Sequence, residues 1–173
     1  MASQSDLTAE EKEALERFPF LARNFCAFVD VCAELDRQTL LRQVSIHLAQ
    51  LCEGGARLPW VNPAGDGLDS PPDSSSRHKQ KSMSIETMLR EKLGKLNEYW
   101  EVFDPTQKEE PVSSSLSIDI AEIYFDLKEA VDLLASNVAR EDVYFDWRFS
   151  FREHWSRHAV SALKVTLLVS DDA

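Results

Sequence analysis

The chain has 173 residues, 43% of them hydrophobic, and a formal net charge of −11. A chain of this length suits one domain with a substantial buried core, since domains commonly run to about 100–200 residues. The acidic balance repels phosphate backbones and anionic lipid surfaces, so we expect neither nucleic acid nor membranes as partners. The N-terminus lacks the basic start and apolar run of a signal peptide, which predicts a cytoplasmic protein.

The first predicted element is a short charged helix from about Ala9 to Arg17. Thr8 and Glu11 have the spacing of a capping box, in which each side chain satisfies a backbone donor at a helix start. Pro19 disfavours helical geometry in the residue before it, so the pattern predicts that this helix ends there. The expected organisation is an N-terminal extension at 1–17, a helical bundle domain at 18–168 and a tail at 169–173.

Two apolar stripes then predict a helical hairpin. The first runs from about Pro19 to Glu34, and the second begins after Asp36, a good N-cap residue, and ends at Gly54-Gly55. Only two or three residues separate the two helices, so they should pack antiparallel. The cysteines of this region form no CxxC pair and lie in apolar patterns, which favours reduced core residues. They are Cys26, Cys32 and Cys52.

Residues 59–81 differ in composition, because Pro, Gly, Asp and Ser are followed there by the basic run RHKQK. Such a segment cannot bury enough apolar area to offset its ordering entropy, which predicts a mobile loop. A docking role for the basic run is the alternative to a plain solvated loop. His78 lies in this run and is therefore excluded as a ligand candidate.

Helical periodicity resumes near Ser84 and continues to Trp100, with an interruption at Gly94. The aromatic sequence YWEVFDP closes this helix, and its Asp104-Pro105 pair predicts a turn. A polar loop is expected from the turn to residue 115.

The next predicted helix, which ends near Asn137, carries three carboxylates beside its apolar arc. Asp119, Glu122 and Asp126 stand at positions i, i+3 and i+7, which places them along one side of a helix. Three groups that can take part in acid–base chemistry or bind a metal therefore share one margin of the buried face.

The final predicted helix begins near Arg140 and contains two histidines at helical spacing. His154 and His158, four residues apart, fall in one stripe with Trp147 and Trp155, so both imidazoles should face inward. Apolar residues also cover the opposite side, and a helix that is apolar on two sides should be central. The residues of that second side are Phe145, Phe149, Val160, Leu163 and Leu167. The expected fold class is all-α, an antiparallel bundle of four or five helices with a long central C-terminal helix.

Three separated motifs resemble one known family. They are YWEVFDP, SLSIDIAEIYFDLK and WRFSFREHWSRHA, in that order. The family is bacterial and is catalogued only as a domain of unknown function, number five thousand and sixty-three in that series. Its second motif more often carries Asp at the positions of Ile118 and Glu122. The resemblance covers about 18–168 except for the 59–81 segment; it implies an all-helical bacterial protein and assigns no activity.

The candidate site lies where the carboxylates meet the histidines. One hypothesis is a divalent metal such as Zn, Fe, Mn or Ni, bound by His154, His158, Asp119 and Asp126 between the last two helices. The favoured alternative is a structural network, in which the histidines donate to the same carboxylates and no cofactor is present. A pocket for a small molecule or peptide is the third. The members of the expected polar cluster are Asp119, Glu122, Asp126, Trp147, His154, Trp155 and His158.

No other enzyme signature stands out, since the chain has neither a Gly-rich phosphate loop nor a GxSxG elbow. The sequence therefore favours a non-enzymatic binding or adaptor module that acts on an unknown protein or small molecule. The alternative is a metal-dependent hydrolase or oxidoreductase with Glu122 as a base. The oligomeric state cannot be read from these patterns.

Overall fold

The computed structural model describes residues 7–65, 72–102, 104–135 and 138–169. Within these ranges a π-helical segment, Phe151–Trp155, joins the last two α-helices into one C-terminal helix, so that the bundle has five helices and one two-stranded sheet. This confirms the predicted all-α class. The elements are α1 (Ala9–Val31), α2 (Arg37–Arg57), α3 (Pro72–Leu93), β1 (Glu98–Glu101), β2 (Val112–Ser115), α4 (Leu116–Leu133), α5 (Arg140–Ser150) and α6 (Ser156–Val169).

Helix α1 is continuous, so the predicted break at Pro19 is wrong. The predicted capping box is present: Thr8 N donates to Glu11 Oε2 at 2.8 Å, and Glu11 N donates to Thr8 Oγ1 at 3.2 Å. A proline inside a helix costs about 3 kcal/mol, because it removes one backbone donor and crowds the preceding turn. Burial of a large apolar side chain contributes about 1.5–3 kcal/mol. Phe18 and Leu21, on either side of the proline, are both buried, and together they offset its cost.

Helices α1 and α2 form the predicted helical hairpin. Asp36 caps α2, since its Oδ1 accepts from Thr39 N at 2.9 Å. The two helices pack against each other and bury the cysteines Cys26 and Cys32, while Cys52 is half-buried. All three thiols are free, as the sequence predicted.

Glycines near the end of α2 allow two other helices to approach closely. A Cβ atom on Gly55 would lie 2.5 Å from Phe151 Cδ2 and 3.0 Å from Trp155 Cη2. A Cβ atom on Gly54 would lie 2.6 Å from Leu21 Cδ1 of α1. The pair therefore serves packing, and the helix end predicted there is wrong, because α2 continues to Arg57.

The mobile loop predicted for 59–81 is wrong over its second part, because α3 begins at Pro72. The start of the segment is also anchored, since Leu58 and Val61 are buried in the core. Residues 66–71 lie outside the described residues. A low apolar content predicts disorder for an isolated segment. In the folded protein, contacts with neighbouring helices supply the stabilising interactions that offset the entropic cost of ordering the segment.

Those contacts are polar as well as apolar. His78 Nε2 lies 3.0 Å from Asp132 Oδ2 of α4, and Lys81 Nζ lies 3.1 Å from Asp30 Oδ1 of α1. The helix ends at Leu93, where Gly94 takes a positive φ of 57° that favours glycine. Gly94 therefore ends the helix, whereas the sequence predicted only an interruption.

A β-hairpin occupies the region where the sequence predicted a turn and a polar loop. Strands β1 and β2 pair antiparallel, with Tyr99 opposite Ser114 and Glu101 opposite Val112. Aromatic residues favour strands, but four residues are too few for a period of two to be distinguished from a helical stripe. Phe103 of the YWEVFDP motif lies outside the described residues.

A buried network joins β1 to the start of α4. Asn97 Nδ2 donates to Ser115 Oγ at 2.8 Å, and Asn97 Oδ1 accepts from Ser117 N at 3.0 Å. The Asn97 carbonyl also accepts from Leu116 N at 2.9 Å. Asn97 thus caps α4 from a distant part of the chain and holds the hairpin against this helix.

Helix α4 is the central helix, because it packs against α1, α3, α5 and α6. The predicted apolar arc is buried over most of its length. Its buried members are Leu116, Ile120, Ile123 and Leu127. The predicted end at Asn137 lies outside the described residues, and α4 itself ends at Leu133.

The C-terminal helix is as long as predicted, but its second apolar side is largely in solvent. Phe149, Val160 and Leu167 are 48%, 58% and 60% exposed. The prediction that this side is buried is therefore wrong for these three residues. Within the described residues, α6 packs against α2 and α4 on its other faces. None of the described helices is long and apolar enough to span a membrane.

We expect Gly55→Ala to destabilise the bundle. The added methyl group gains about 1 kcal/mol of helix propensity, whereas overpacking against the Phe151 and Trp155 rings costs about 1–3 kcal/mol. The free energy of unfolding, measured by urea denaturation, should therefore fall by up to about 2 kcal/mol. Gly65→Ala is the control, because its Cβ would meet only Asp142 Oδ2, at 3.7 Å. A stability above the wild type would contradict the close approach.

Candidate functional site

Two histidine–aspartate pairs join α4 to the C-terminal helix. His154 Nδ1 lies 2.7 Å from Asp126 Oδ2, and His158 Nδ1 lies 2.9 Å from Asp119 Oδ1. The later histidine pairs with the earlier aspartate, as antiparallel helices require. The two imidazole centroids are 4.9 Å apart. Four of the predicted site residues are therefore brought together, as two hydrogen-bonded pairs.

Asp119 is the most deeply buried member of the site, with 2% of its surface exposed. Its Oδ2 accepts a hydrogen bond from Tyr99 Oη at 2.7 Å, so both carboxylate oxygens have a partner. Burial raises the pKa of Asp119, and the hydrogen bonds from His158 and Tyr99 oppose that rise. The bond to Asp119 in turn raises the pKa of His158, because the carboxylate stabilises the imidazolium. Between the two pKa values the pair is ionic.

Asp126 lies in a more acidic neighbourhood. Burial raises its pKa, and the hydrogen bond from His154 opposes the rise. Asp146 was not among the predicted site residues, yet burial, with a smaller contribution from the charges of Asp126 and Glu129, raises its pKa to about 7. Glu122 lies close enough for its charge to raise the pKa of Asp126, although it forms no hydrogen bond within the described part of the chain.

The structure places Trp147 and Trp155 in the core instead of beside the histidines. Their ring centroids lie 5.2 Å and 6.1 Å from that of Phe18 on α1. Both indoles are fully buried, and neither lines the cleft described below. They anchor the C-terminal helix to α1 and are not members of the polar cluster.

The π-helical segment explains this departure from the helical wheel. On an ideal α-helix Trp147 and His154, seven residues apart, share one face. The wider turn of a π-helix rotates the residues that follow it relative to those that precede it. His154 can then reach Asp126 of α4 while Trp147 packs on Phe18. Such π-helical turns occur frequently at functional sites.

Both histidines line an open cleft between the β-hairpin and α6. Its volume is about 1140 Å³. Tyr99, Trp100 and Ile118 contribute to one wall, and α6 forms the other. The residues that α6 contributes include Arg157, Val160, Lys164 and Leu168.

Sequence reasoning missed the wall formed by the hairpin. The helical stripe predicted that Trp100 is buried, but the indole is 74% exposed on β1. Tyr99, its neighbour, turns inward and reaches Asp119. The alternation of exposed and half-buried residues in β1 is the signal that distinguishes a strand, and it spans only four residues.

Asp119 and Asp126 form hydrogen bonds with the histidine rings, whereas the predicted metal site used all four side chains as ligands of one ion. Asp119 and Asp126 are engaged with Nδ1 atoms, so the structure does not present them beside the histidines as free ligands. Among the residues that the structure describes, no group of three or more His, Cys, Asp or Glu side chains is arranged to hold a metal ion.

Fold and site together define an all-helical protein with a histidine-lined cleft. The model of one family, a domain of unknown function named DUF5063, matches residues 9–170. The match includes α1 to α6, so the chain belongs to this family, and the resemblance carried by the three motifs is confirmed. No curated protein matches the chain.

Among solved structures, the chain is similar to protein BF1032 from Bacteroides fragilis. The similarity covers 91% of this chain and 92% of that one, with a TM-score of 0.74 and 19% sequence identity. At this identity the likeness concerns the fold alone. The helical arrangement is therefore shared with a second protein, whereas the function has to be argued from the site.

We expect His158 to titrate above the ordinary histidine pKa of about 6.5, because Asp119 stabilises its charged form. The folded protein then binds this proton more tightly than the unfolded chain does. The resulting stabilisation is complete below about pH 6.5 and is lost as the pH rises through the folded pKa. Imidazole resonances followed by NMR should show the pKa of His158 falling in Asp119→Asn. Asp132→Asn, which removes the partner of His78, is the control, and a His158 pKa at or below 6.5 in the wild type would contradict the assignment.

Proposed function

We propose that this protein is a non-enzymatic binding module and that the cleft between the β-hairpin and α6 receives a peptide segment of a partner protein. The observation that carries the proposal is the exposure of large apolar side chains on both walls of one cleft. Contiguous exposed apolar surface with a polar rim is typical of interaction sites. The side chains are Trp100, Ile118, Val160 and Leu168, exposed by 74%, 38%, 58% and 68%.

The dimensions of the cleft favour a peptide over a small molecule. Helix α6 has 14 residues, which at about 1.5 Å per residue gives a wall about 21 Å long. An extended chain rises about 3.3 Å per residue, so about six residues would cover that length. The volume of about 1140 Å³ also lies above the common range for small-molecule sites, about 300–1,000 Å³.

The charges of the cleft favour a segment that carries acidic as well as apolar side chains. Arg157 and Lys164 stand seven residues apart on α6 and both line the cleft. Neither forms an ion pair with another residue of the described ranges. In a chain with 30 acidic and 19 basic residues, most of the surface repels an anionic segment, whereas the α6 wall of this cleft offers it two cations. The acidic residues of the lining, Glu101 and Asp119, lie on β1 and α4.

Both oxygens of the Asp119 carboxylate already accept hydrogen bonds, from Tyr99 and His158. An oxygen that is engaged in this way is a poor general base, because base catalysis requires it to reach a substrate proton. Asp119 itself is therefore disfavoured as a general base of the cleft.

We expect selection from a random heptapeptide phage library on the immobilised protein to enrich peptides that combine apolar and acidic residues. Their affinities, measured by fluorescence anisotropy on the synthetic peptides, should fall at least tenfold in Trp100→Ala. Truncation of a large aromatic side chain at the centre of an interface commonly costs about 2 kcal/mol or more. Lys164→Glu should weaken the same peptides, because it replaces attraction by repulsion.

Met83→Ala is the matched control, since Met83 is 61% exposed and does not line the cleft. Peptides that bind Trp100→Ala as tightly as the wild type would place the binding surface elsewhere. A library from which nothing is enriched would reject the proposal.

A further inference from the structure

We propose that His154 and His158 bind one divalent transition-metal ion through their Nε2 atoms, at the edge of the cleft. This goes beyond peptide binding and does not depend on it, because it is argued from the two imidazoles and their aspartate partners and not from the apolar walls. The site differs from the one that the sequence suggested. Its protein ligands are the two imidazoles, and each aspartate orients one ring by a hydrogen bond to Nδ1.

The hydrogen bonds of the rings support this assignment. Each Nδ1 atom lies within 2.9 Å of an aspartate oxygen, so Nδ1 carries the proton that is donated to the carboxylate. In a neutral imidazole the lone pair is then on Nε2, the atom available to a metal. Histidines that bind metals almost always donate their other N–H to a carboxylate, a carbonyl or water, which fixes the tautomer and raises the basicity of the ligand. Here both histidines have that support.

The spacing and access of the pair also fit. Two histidines at i and i+4 on one helix are a known way of presenting two ligands to one ion. The ring centroids are 4.9 Å apart, and the side chains of His154 and His158 are 42% and 28% exposed where they line the cleft. Neither Nε2 atom forms a hydrogen bond with another residue in the part of the chain that the structure describes.

The other two histidines, His47 and His78, lack this arrangement. His78 Nε2 is engaged by Asp132 Oδ2 at 3.0 Å. His47 stacks on Phe28 with a centroid distance of 4.7 Å, and burial lowers its pKa. The chain has four histidines, and the cleft pair alone combines helical pairing with a carboxylate on each Nδ1.

Ligand chemistry limits the metal. Imidazole nitrogen suits Zn²⁺, Cu²⁺ and Ni²⁺, and two imidazoles leave coordination positions for water or for an anionic group that enters the cleft. A metal binds the neutral form of imidazole and competes with the proton, so metal affinity should increase as the pH rises from 6 to 8.

The test uses protein without a histidine tag, stripped with EDTA and titrated with ZnCl₂ in a calorimeter at pH 7.5. We expect one Zn²⁺ per chain. His154→Gln should weaken binding at least tenfold, and the double variant with His158→Gln should abolish it. Asp126→Asn, which leaves both ligands in place, should weaken binding by about 10–100-fold through the orientation of His154. His78→Gln is the matched control, because it removes a histidine that is also paired with an aspartate, and it should bind Zn²⁺ like the wild type.

A second measurement guards against loss of folding. In the wild type, NMR signals of the imidazole rings should broaden on addition of paramagnetic Ni²⁺ for His154 and His158 before His47 and His78. A purely structural role of the two pairs predicts destabilised variants, with no Zn²⁺ bound by the wild type and no selective broadening. Either result in the wild type would overturn the metal site. The peptide measurements would stand unaffected, since they depend on the apolar walls.

Discussion

The buried carboxylate of Asp119 is the interaction on which the site depends. A carboxylate that is 98% removed from solvent is strongly unfavourable unless its charge is paired and its oxygens are hydrogen-bonded. Tyr99 of β1 and His158 of α6 supply those partners, one for each oxygen. Three elements that are distant in sequence are thereby held together at one point. The position of the hairpin relative to α6, and with it the width of the cleft, follows from this satisfied charge.

The opposite side of the C-terminal helix is held by apolar packing. Trp147 and Trp155 are fully buried against Phe18, and Gly55 leaves room for the Phe151 ring to approach α2. The π-helical segment lies between these contacts and the histidines, and its extra residue per turn allows one helix to present an aromatic face to α1 and a polar face to α4. The aromatic residues that anchor the C-terminal helix and the histidines that form the site therefore lie on different faces of this helix.

The two hydrogen-bonded pairs affect how the cleft could bind a ligand. Hydrogen-bonded pairs in a low-dielectric environment hold their side chains in one geometry, which lowers the entropic cost of binding a ligand. The same bonds that tie α4 to α6 leave the outer nitrogens of both imidazoles directed away from the aspartates. The structural role of the two pairs is thus compatible with the metal binding proposed above. The apolar side chains of both walls, with Arg157 and Lys164, give the cleft the different chemistry on which the proposed peptide binding depends.

Local patterns were sufficient for much of the architecture. The caps at Thr8 and Asp36, the apolar arc of α4 and the family motifs were all readable from the chain, because each depends on residues within a few turns of one another. The alignment of Asp119, Glu122 and Asp126 on one side of α4 and the spacing of the two histidines were readable for the same reason. Local reasoning failed where a tertiary contact outweighed a local preference. At Pro19 the burial of neighbouring side chains offsets the cost of a proline, and over 72–81 contacts with other helices stabilise a segment whose composition predicts a loop.

The sequence by itself determined that the protein is helical and that His154 and His158 could meet Asp119 and Asp126 between its last two predicted helices. Only the tertiary structure decided that Trp100 stands exposed on a strand, that the two tryptophans of the C-terminal helix belong to the core, and that each aspartate is paired with one histidine. The physical reason is that a helical wheel assumes a uniform α-helix and contains no information on partners. One π-helical turn changes the direction of every side chain after it, and the pairing of charges depends on which helices meet.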